Sequence, residues 1–139
     1  MVTVSYAYQF NYLYAADHRR FPGLVLQIWS PDRPQQALHI DAYLDSGTER
    51  SLFEGTIGTA IGLDIFSGRR IPYRSTAGRE VEGRLHQVRL SHPDLGDFQL
   101  EVGFSVEPIN RNLLGRDFFN LIQVGFRERH LAVYVTSAP

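Results

Sequence analysis

One short turn in this sequence could position a carboxylate for catalysis. The apolar segment Leu38 to Leu44 runs directly into Asp45, Ser46 and Gly47. Gly47 allows backbone geometries that other residues resist, and the hydroxyl of Ser46 can hydrogen-bond nearby groups. Asp-Ser-Gly is also an ordinary turn sequence. The tripeptide alone therefore makes Asp45 a candidate catalytic residue without assigning a function.

A second motif, about 70 residues further along, changes the interpretation of that turn. Leu113-Leu114-Gly115-Arg116-Asp117 leads into a predicted short apolar helix through Ile122 and then into a hairpin. Taken singly, Leu113 and Leu114 are typical core residues and Asp117 is a typical helix N-cap. The two motifs in this order are far more specific than either one alone.

With both motifs, the chain resembles the retropepsin family of aspartic proteases over about residues 24–135. Members of this family share an apolar strand entering Asp-[Ser/Thr]-Gly, a helical turn, a flap hairpin, two apolar residues plus Gly, an Arg-Asp or Arg-Asn helix start, and terminal strands at the dimer interface. The resemblance implies an all-β fold, a closed acid-protease barrel with one or two short helices. Residues 1–139 would form a single domain, with residues 1–21 as an N-terminal extension strand.

The resemblance implies that Asp45 is the catalytic carboxylate of a homodimeric endopeptidase. Only one Asp-Ser-Gly is present and the chain has no room for a second lobe, so a second copy must supply the other carboxylate. Two carboxylates at close range cannot both be ionised and share one proton, and aspartic proteases are the standard example of this effect. One carboxylate would activate water while the other protonates the carbonyl of a peptide or protein substrate. No metal and no cofactor is required.

The resemblance also assigns supporting roles around Asp45. Ser46 would hydrogen-bond across the two-fold axis, and Gly47 would lie beside the substrate backbone. Glu49 and Arg116 stand where the family carries an acid and its usual partner, so a buried ion pair is expected between them. Thr48 stands where Ala or Ser is common; its hydroxyl would favour an ionised carboxylate, which predicts an acidic optimum. The expected supporting residues are Ser46, Gly47, Thr48, Glu49, Leu114, Gly115, Arg116 and Asp117.

The flap expected to close over a bound peptide is a hairpin with a glycine at its tip. Two predicted extended segments, Arg70 to Thr76 and Glu80 to Leu90, flank that tip. The expected flap residues are Thr76, Ala77, Gly78 and Arg79. This hairpin is more charged than the glycine-rich flaps of viral members, because it contains Arg74, Arg79, Glu80, Glu82 and Arg84.

Two-residue periodicity predicts the strands that position these motifs. From Val2 to Tyr14 every even position is apolar or aromatic, which predicts a strand whose even positions pack into the core. Leu24 to Ser30 and Leu38 to Leu44 form a predicted hairpin that ends at Asp45. Further strands are predicted from Phe98 to Val106 and in a final hairpin that turns at residues 127–129.

One short helix is predicted directly after the Asp45 turn. Ser51-Leu52-Phe53-Glu54 matches a capping box, in which the serine side chain caps the first turn of a helix. Three glycines in the following segment weaken the helix. The apolar residues expected on one face of this helix are Phe53, Ile57, Ala60 and Ile61.

Composition narrows the classes of function. Lys plus Arg number 14 against 15 Asp plus Glu, and this balance gives no electrostatic reason to expect nucleic acid or a membrane as a partner. There is no Cys, which excludes thiolate sites and fits a reducing compartment, so we expect a cytoplasmic protein. The five His residues lie in separate segments without ligand spacing, and the glycine-rich stretch at residues 55–62 lacks a phosphate-loop signature. We therefore assign no metal and no nucleotide.

Two other classes of function remain open at the level of sequence. One is a non-catalytic module that keeps the fold for dimerisation or peptide binding, which the charged flap favours. The other is a small-molecule-binding β-barrel in which Asp45 is accidental, favoured only by the aromatic N-terminal segment.

Overall fold

A computed structural model describes residues 1–74 and 78–137, which are built mainly from strands. The strands of these residues are β1 (Tyr8–Asn11), β2 (Leu13–Tyr14), β3 (Arg20–Phe21), β4 (Gly23–Trp29), β5 (Leu38–Leu44), β6 (Leu52–Glu54), β7 (Arg69–Arg74), β8 (Glu80–His92), β9 (Gly96–Ser105), β10 (Asn112–Leu114), β11 (Ile122–Arg127) and β12 (Ala132–Ser137). The α-helices are α1 (Gly55–Ala60) and α2 (Arg116–Phe119), and short 3-10 turns lie at Pro34–Gln36, Ile65–Ser67 and Glu128–His130.

Six of the strands close into a barrel. Their order is β4-β5-β10-β6-β9-β8, and β8 pairs back onto β4, so the ring has no free edge. Strand β7 extends the sheet from the outer edge of β8. A separate three-stranded sheet, β1-β12-β11, joins the two ends of the chain. The predicted all-β barrel with two short helices is confirmed.

Alternating side chains fill the barrel. In β4, Leu24, Leu26 and Ile28 are buried while Val25 points to solvent, which is the two-residue pattern read from the sequence. The fully buried aromatic rings are Phe53, Phe104 and Phe118. The barrel interior is therefore a packed core. The predicted hairpin into Asp45, the strand from Phe98 and the final hairpin are all present.

The N-terminal segment does not follow its predicted burial. Strand β1 pairs with β12, and Tyr12 is buried, but Val2 is 87% exposed and Val4 is 50% exposed. Tyr8 and Tyr14 are also exposed. The prediction that the even positions pack into the core was wrong for most of the stripe. The predicted strand from Val2 to Tyr14 is formed only at Tyr8–Asn11 and Leu13–Tyr14, and residues 1–7 pair with no strand, so the alternation in sequence does not give these side chains one common face.

The capping box at Ser51 was also wrong. Residues Leu52–Glu54 form strand β6, and helix α1 begins only at Gly55, without a side-chain cap at its N-terminus. Phe53 accordingly belongs to a strand, and Ala60 is exposed. Ser51 is fully buried, and its hydroxyl does not cap α1 but bonds Asp117 and the N–H of Gly115 at the start of α2.

The helices in the described residues fall short of the length and hydrophobicity that a bilayer-crossing helix needs.

Candidate active site

Two neighbouring strands bring the sequence motifs together. β5 and β10 are parallel, with Leu44 opposite Leu114. At the end of β5 the backbone N–H of Asp45 donates to the carbonyl of Leu114 at 2.9 Å. The motif that begins at Leu113 therefore lies directly beside the Asp45 turn, as the order of the motifs suggested.

Two donors of its own turn hold the Asp45 carboxylate. The N–H of Gly47 donates to Oδ1 at 2.9 Å, and the Thr48 hydroxyl donates to Oδ2 at 3.1 Å. The side chain is half-buried, and each oxygen keeps a further lone pair for another partner. The expected donor role of Thr48 is present in the geometry.

Gly47 was expected to adopt a backbone geometry that other residues resist, but the structure indicates a different reason for a glycine at this position. Its φ is not among the positive values, which occur at other glycines of the described chain. A Cβ added at this position would lie 3.2 Å from Oδ1 of Asp45. The absence of a side chain thus keeps space open beside the carboxylate.

Gly115 allows the backbone of the second motif to approach the turn closely. A Cβ at this position would lie only 2.5 Å from the carbonyl oxygen of Thr48. That same carbonyl accepts the N–H of Arg116 at 2.8 Å, and the carbonyl of Glu49 accepts the N–H of Asp117 at 3.2 Å. Any side chain larger than hydrogen at residue 115 would force these two segments apart.

A buried hydrogen-bond network joins helix α2 to the end of the Asp45 turn. Asp117 accepts the backbone N–H of Ser51 at 2.9 Å and its hydroxyl at 2.7 Å. The Ser51 oxygen in turn accepts the N–H of Gly115 at 3.0 Å. Asp117 is therefore a bridge between the two motifs, and the N-cap position of α2 belongs to Gly115.

The expected buried ion pair between Glu49 and Arg116 is absent. Both side chains are exposed, and no ion pair joins these two described residues. Arg116 instead donates from Nη1 to the carbonyl of Ser46 at 2.9 Å. The physical reason is that the backbone hydrogen bonds of the turn already position residue 116, and its side chain extends along the surface of that turn.

Tyr73, on strand β7, is a site residue that the sequence did not reveal. Its hydroxyl donates to the carbonyl of Ser51 at 3.0 Å. Its side chain covers Gly83 and Gly103, where an added Cβ would lie 2.5 Å from a ring carbon and 2.3 Å from the hydroxyl oxygen of Tyr73. Burial, together with the negative charge of Asp117, raises the pKa of Tyr73 to about 12. Only the strand register places these glycines under the ring, so no local sequence signal identifies this contact.

Ser51 was missed for a similar reason, because its partner Asp117 is 66 residues away in sequence.

A surface cavity of about 370 Å³ opens beside Asp45. Its apolar wall comes from Leu52, Tyr73, Val81, Ile109 and Leu113, and its polar lining from Asp45, Thr48, Arg74, Asn110 and Arg111. A second cavity of about 440 Å³ shares Thr48, Tyr73 and Arg74 with the first, and it also includes Gly47, Glu49 and Arg116. Together they give the Asp45 turn a concave and partly apolar surface, which is typical of ligand sites.

The expected flap is described only in part. Gly78 has a φ of +78°, which suits a tight turn, and Arg79 pairs with Glu107 at 2.6 Å. Thr76 and Ala77 lie outside the described residues. The strands that flank the tip, β7 and β8, form the predicted antiparallel hairpin beside the Asp45 cavity.

Among residues 1–74 and 78–137, no group of three or more His, Cys, Asp or Glu residues is arranged to hold a metal ion.

No protein-family model matches the sequence, and no curated protein matches it. Solved structures do match. The protease of EIAV, in complex with the inhibitor HBY-793, superposes with a TM-score of 0.54 at 16% identity, over 73% of this chain and 86% of that one. A retropepsin-like aspartic protease from Rickettsia conorii gives a TM-score of 0.60 at 10% identity over 100% of both chains. Together with the six-stranded barrel, these matches show that the chain has the retropepsin-like aspartic protease fold.

Proposed function

We propose that this chain is an aspartic endopeptidase that acts as a homodimer and hydrolyses peptide bonds with a water activated between two Asp45 carboxylates. The observation that supports this best is the position of Asp45 in a retropepsin-like fold. The carboxylate stands at the end of β5, is held by two donors of its own turn, and lines a concave cavity.

Each chain supplies one such carboxylate, so the mechanism requires two chains. A symmetric dimer would bring Asp45 of both chains to the two-fold axis, where they would share one proton. The ionised carboxylate accepts a proton from water as the water oxygen attacks the peptide carbonyl. The protonated carboxylic acid donates its proton to the carbonyl oxygen, which gives a gem-diol. As the C–N bond then breaks, the carboxyl group that took the water proton gives it to the amine nitrogen, and the other carboxylate takes a proton back from a gem-diol hydroxyl, so that the dyad again holds one proton. The titration of this pair belongs to the dimer as a unit.

The residues around Asp45 would support this chemistry in different ways. Ser46 is exposed and free to hydrogen-bond across the axis, while Gly47 leaves room for the substrate backbone. Thr48 orients the carboxylate, and the segment Leu114 to Asp117, with Glu49, fixes the turn through backbone hydrogen bonds. Gly78 and Arg79 would belong to a flap that closes over the peptide. In this proposal residues 1–139 form one domain, with residues 1–21 as its extension. A cytoplasmic location stays a prediction.

A non-catalytic peptide-binding or dimerisation module is the alternative. The observation in its favour is the network of ion pairs along the β7–β8 hairpin. Arg79 pairs with Glu107, while Glu82 pairs with both Arg70 and Arg84 at 2.9 and 2.8 Å. These contacts tie the hairpin to itself and to the segment after β9, and a flap that is tied down would close poorly over a substrate.

A cleavage assay on an unstructured protein substrate distinguishes the two functions. We expect wild-type protein to cut the substrate between about pH 3 and pH 7, and a pepstatin-type inhibitor to block the reaction. Asp45→Asn should abolish cleavage, because the amide cannot act as a base. Asp97→Asn is the matched control, since Asp97 is exposed on β9 and lies outside the Asp45 cavity. Cleavage that survives Asp45→Asn would overturn the assignment, and a folded dimer that binds peptide without cutting it would favour the alternative.

A mixing experiment tests whether two Asp45 residues act together. Wild-type and Asp45→Asn chains are co-expressed with different tags and the mixed dimer is isolated. Mixed dimers should be inactive because they hold one carboxylate. A mixed dimer with half of the wild-type activity would show that each chain works alone.

A further inference from the structure

We propose that the cavity beside Asp45 selects peptides with an acidic side chain close to the scissile bond, and that Arg74 and Arg111 bind that side chain. This inference rests on the proposed endopeptidase function and deepens it by naming a class of substrate. It follows from the charges that line the cavity and from how one of the two arginines is held.

The cavity has an excess of positive charge. Every one of the 14 basic residues in the chain is an arginine, and two of them, Arg74 and Arg111, line this cavity. Asp45 is the only carboxylate in its described lining. A shared proton in the dyad would reduce even that negative charge. The positive charge in the cavity is therefore available to a ligand.

Arg74 and Arg111 are among the nine arginines that form no ion pair within the described residues, and of these nine they are the two that line the cavity beside Asp45. Ion pairs with carboxylates are formed by Arg19, Arg50, Arg70, Arg79 and Arg84. Within the described residues, neither Arg74 nor Arg111 has a carboxylate partner, and both side chains are exposed. A guanidinium without an internal partner keeps its planar set of donors for a carboxylate from outside.

Aromatic stacking positions Arg111. Its guanidinium lies 4.4 Å from the ring centre of Tyr43, and Phe21 stacks on Tyr43 at 3.8 Å with planes 9° apart. Because one face of Tyr43 is covered by Phe21, Arg111 must lie on the other face. Phe21 is buried, so the stack anchors the arginine to the N-terminal part of the fold. Such pre-organisation lowers the entropy that is lost when a ligand binds.

Arg74 belongs to a different wall of the same cavity. It ends strand β7, whereas Arg111 precedes strand β10. Between them the lining is apolar, with Leu52, Val81, Ile109 and Leu113. This arrangement fits a peptide that places an apolar side chain in the cavity and an acidic side chain at its rim.

The preference should be local to this cavity. Arg111 lies at the boundary with a neighbouring cavity of about 510 Å³, which contains Phe21 and Tyr43 as well as Asp17, Asp41 and Glu54. Those carboxylates would repel an acidic group that bound further from Asp45. We therefore assign the acidic side chain to the rim formed by Arg74 and Arg111, next to the scissile bond.

Matched fluorogenic peptides test this assignment. The peptides share an apolar pair at the scissile bond and differ only in one flanking residue, which is Glu, Gln or Lys at each flanking position in turn. At one of these positions we expect the Glu peptide to have a kcat/KM about tenfold above that of the Gln peptide, and Lys to be the poorest. The ratio should shrink as salt is raised, because exposed charges are screened. A Glu-to-Gln ratio near one at every position would overturn the inference.

Charge-removing variants identify the residues involved. Arg111→Gln and Arg74→Gln should each move the Glu-to-Gln ratio towards one. Arg89→Gln is the matched control, because Arg89 is an exposed arginine on β8 outside the cavity, and it should leave the ratio unchanged. A ratio that stays at its wild-type value in both cavity variants, with folding verified by circular dichroism, would overturn the roles of these arginines.

The failure of this inference can be told apart from failure of the proposed function. Cleavage that depends on Asp45 but ignores the flanking residue retains the protease and removes the acidic preference. If no peptide is cut, anisotropy with labelled Glu and Gln peptides measures binding directly. Tighter binding of the Glu peptide that is lost in Arg111→Gln would support the acidic site without catalysis, and equal binding would overturn it.

Discussion

The turn that holds Asp45 and the β7–β8 hairpin border the same cavity but are stabilised in different ways. Backbone and buried side-chain hydrogen bonds hold the turn, with Gly115, Ser51 and Asp117 at their centre. The β7–β8 hairpin is held by its own backbone ladder and by Arg–Glu pairs that are at least partly exposed, and the half-buried Tyr73 connects it to the turn.

This difference suits the two parts to different tasks. Any movement of the turn would separate buried donors from their acceptors, which costs considerable free energy. The turn should therefore be rigid. The ion pairs of the hairpin should each stabilise it weakly, because at least part of each pair is exposed to solvent. The endopeptidase proposal requires these pairs to break when the flap moves, whereas the non-catalytic alternative requires them to persist. A catalytic carboxylate needs a fixed position, whereas a flap must open for substrate to enter.

The largest effect should come from Gly115→Ala. The new Cβ would lie 2.5 Å from the Thr48 carbonyl oxygen, so the backbone beside Asp45 must shift. We expect a loss of about 3 kcal/mol in the free energy of unfolding and a loss of peptidase activity. Urea denaturation measures the free energy of unfolding, and peptide cleavage measures the activity. Gly96→Ala is a useful comparison because its position has open space, although its positive φ adds some strain. A Gly115→Ala protein as stable as wild type would contradict the close packing of the two motifs.

A somewhat smaller effect is expected for Asp117→Ala. This change leaves the N–H and hydroxyl of the fully buried Ser51 without their acceptor. We expect a loss of about 2 kcal/mol in the free energy of unfolding. Asp117→Asn retains one acceptor oxygen and should lose less. Equal stability of the Ala and Asn variants would show that the network contributes little.

Tyr73→Phe tests the link between the two regions through pH. Its pKa of about 12 in the folded protein exceeds the value of 10.0 for an unperturbed tyrosine. The folded state therefore holds the proton more tightly, and this contribution is complete below about pH 10 and is lost as the pH rises to about 12. The variant should show a shallower fall of stability in that range, together with a loss of about 1 kcal/mol at neutral pH from the missing hydrogen bond. Tyr12 has the same raised pKa, through burial and its hydrogen bond to Glu128, so part of the fall in stability above pH 10 should remain in the variant. Urea denaturation at a series of pH values measures the stability of both proteins. A pH profile identical to that of wild type would contradict the raised pKa of Tyr73.

The smallest effect on stability is expected for Arg79→Ala. The Arg79 side chain is 73% exposed and that of Glu107 is 37% exposed, so their pair should contribute only about 0.5 kcal/mol. Its loss should matter more for function. If the pair restrains the flap, peptide cleavage should rise in the variant while urea denaturation hardly changes. Glu107→Gln should give the same result, and a large loss of stability in either variant would break the distinction between the two regions.

Much of the fold could be read from local pattern. The strands from Leu24 and Leu38 alternate in a way that matches their burial, while the end of β9 is buried on both faces and the final hairpin is recognised from its apolar strands and its turn. The Asp45 turn and the Leu113 motif could be assigned to one site because their order resembles a known family. Those predictions depend on short-range periodicity and on a specific combination of motifs.

Other features could not be read in this way. The N-terminal stripe has the same alternation as β4, yet Val2 and Val4 face solvent, because burial depends on what the rest of the chain packs against those side chains. Ser51 matched a helix cap, but its hydroxyl donates to the carboxylate of Asp117 instead. A hydrogen bond to a charged carboxylate is stronger than one to the backbone N–H at the end of a short helix. Arg116 matched a buried ion-pair residue but extends over the turn towards Ser46.

Two features of the site can be read from the order of residues alone: an apolar strand that ends in a carboxylate-bearing turn, and a second, glycine-containing motif later in the chain. The other contacts of the site arise only in the folded chain. The tertiary structure places Gly115 against Thr48, Tyr73 over Gly83 and Gly103, and Arg111 on Tyr43. These contacts join residues that are far apart in the chain, so they depend on strand register and on which residues become neighbours in space. Neither can be predicted from the local sequence pattern.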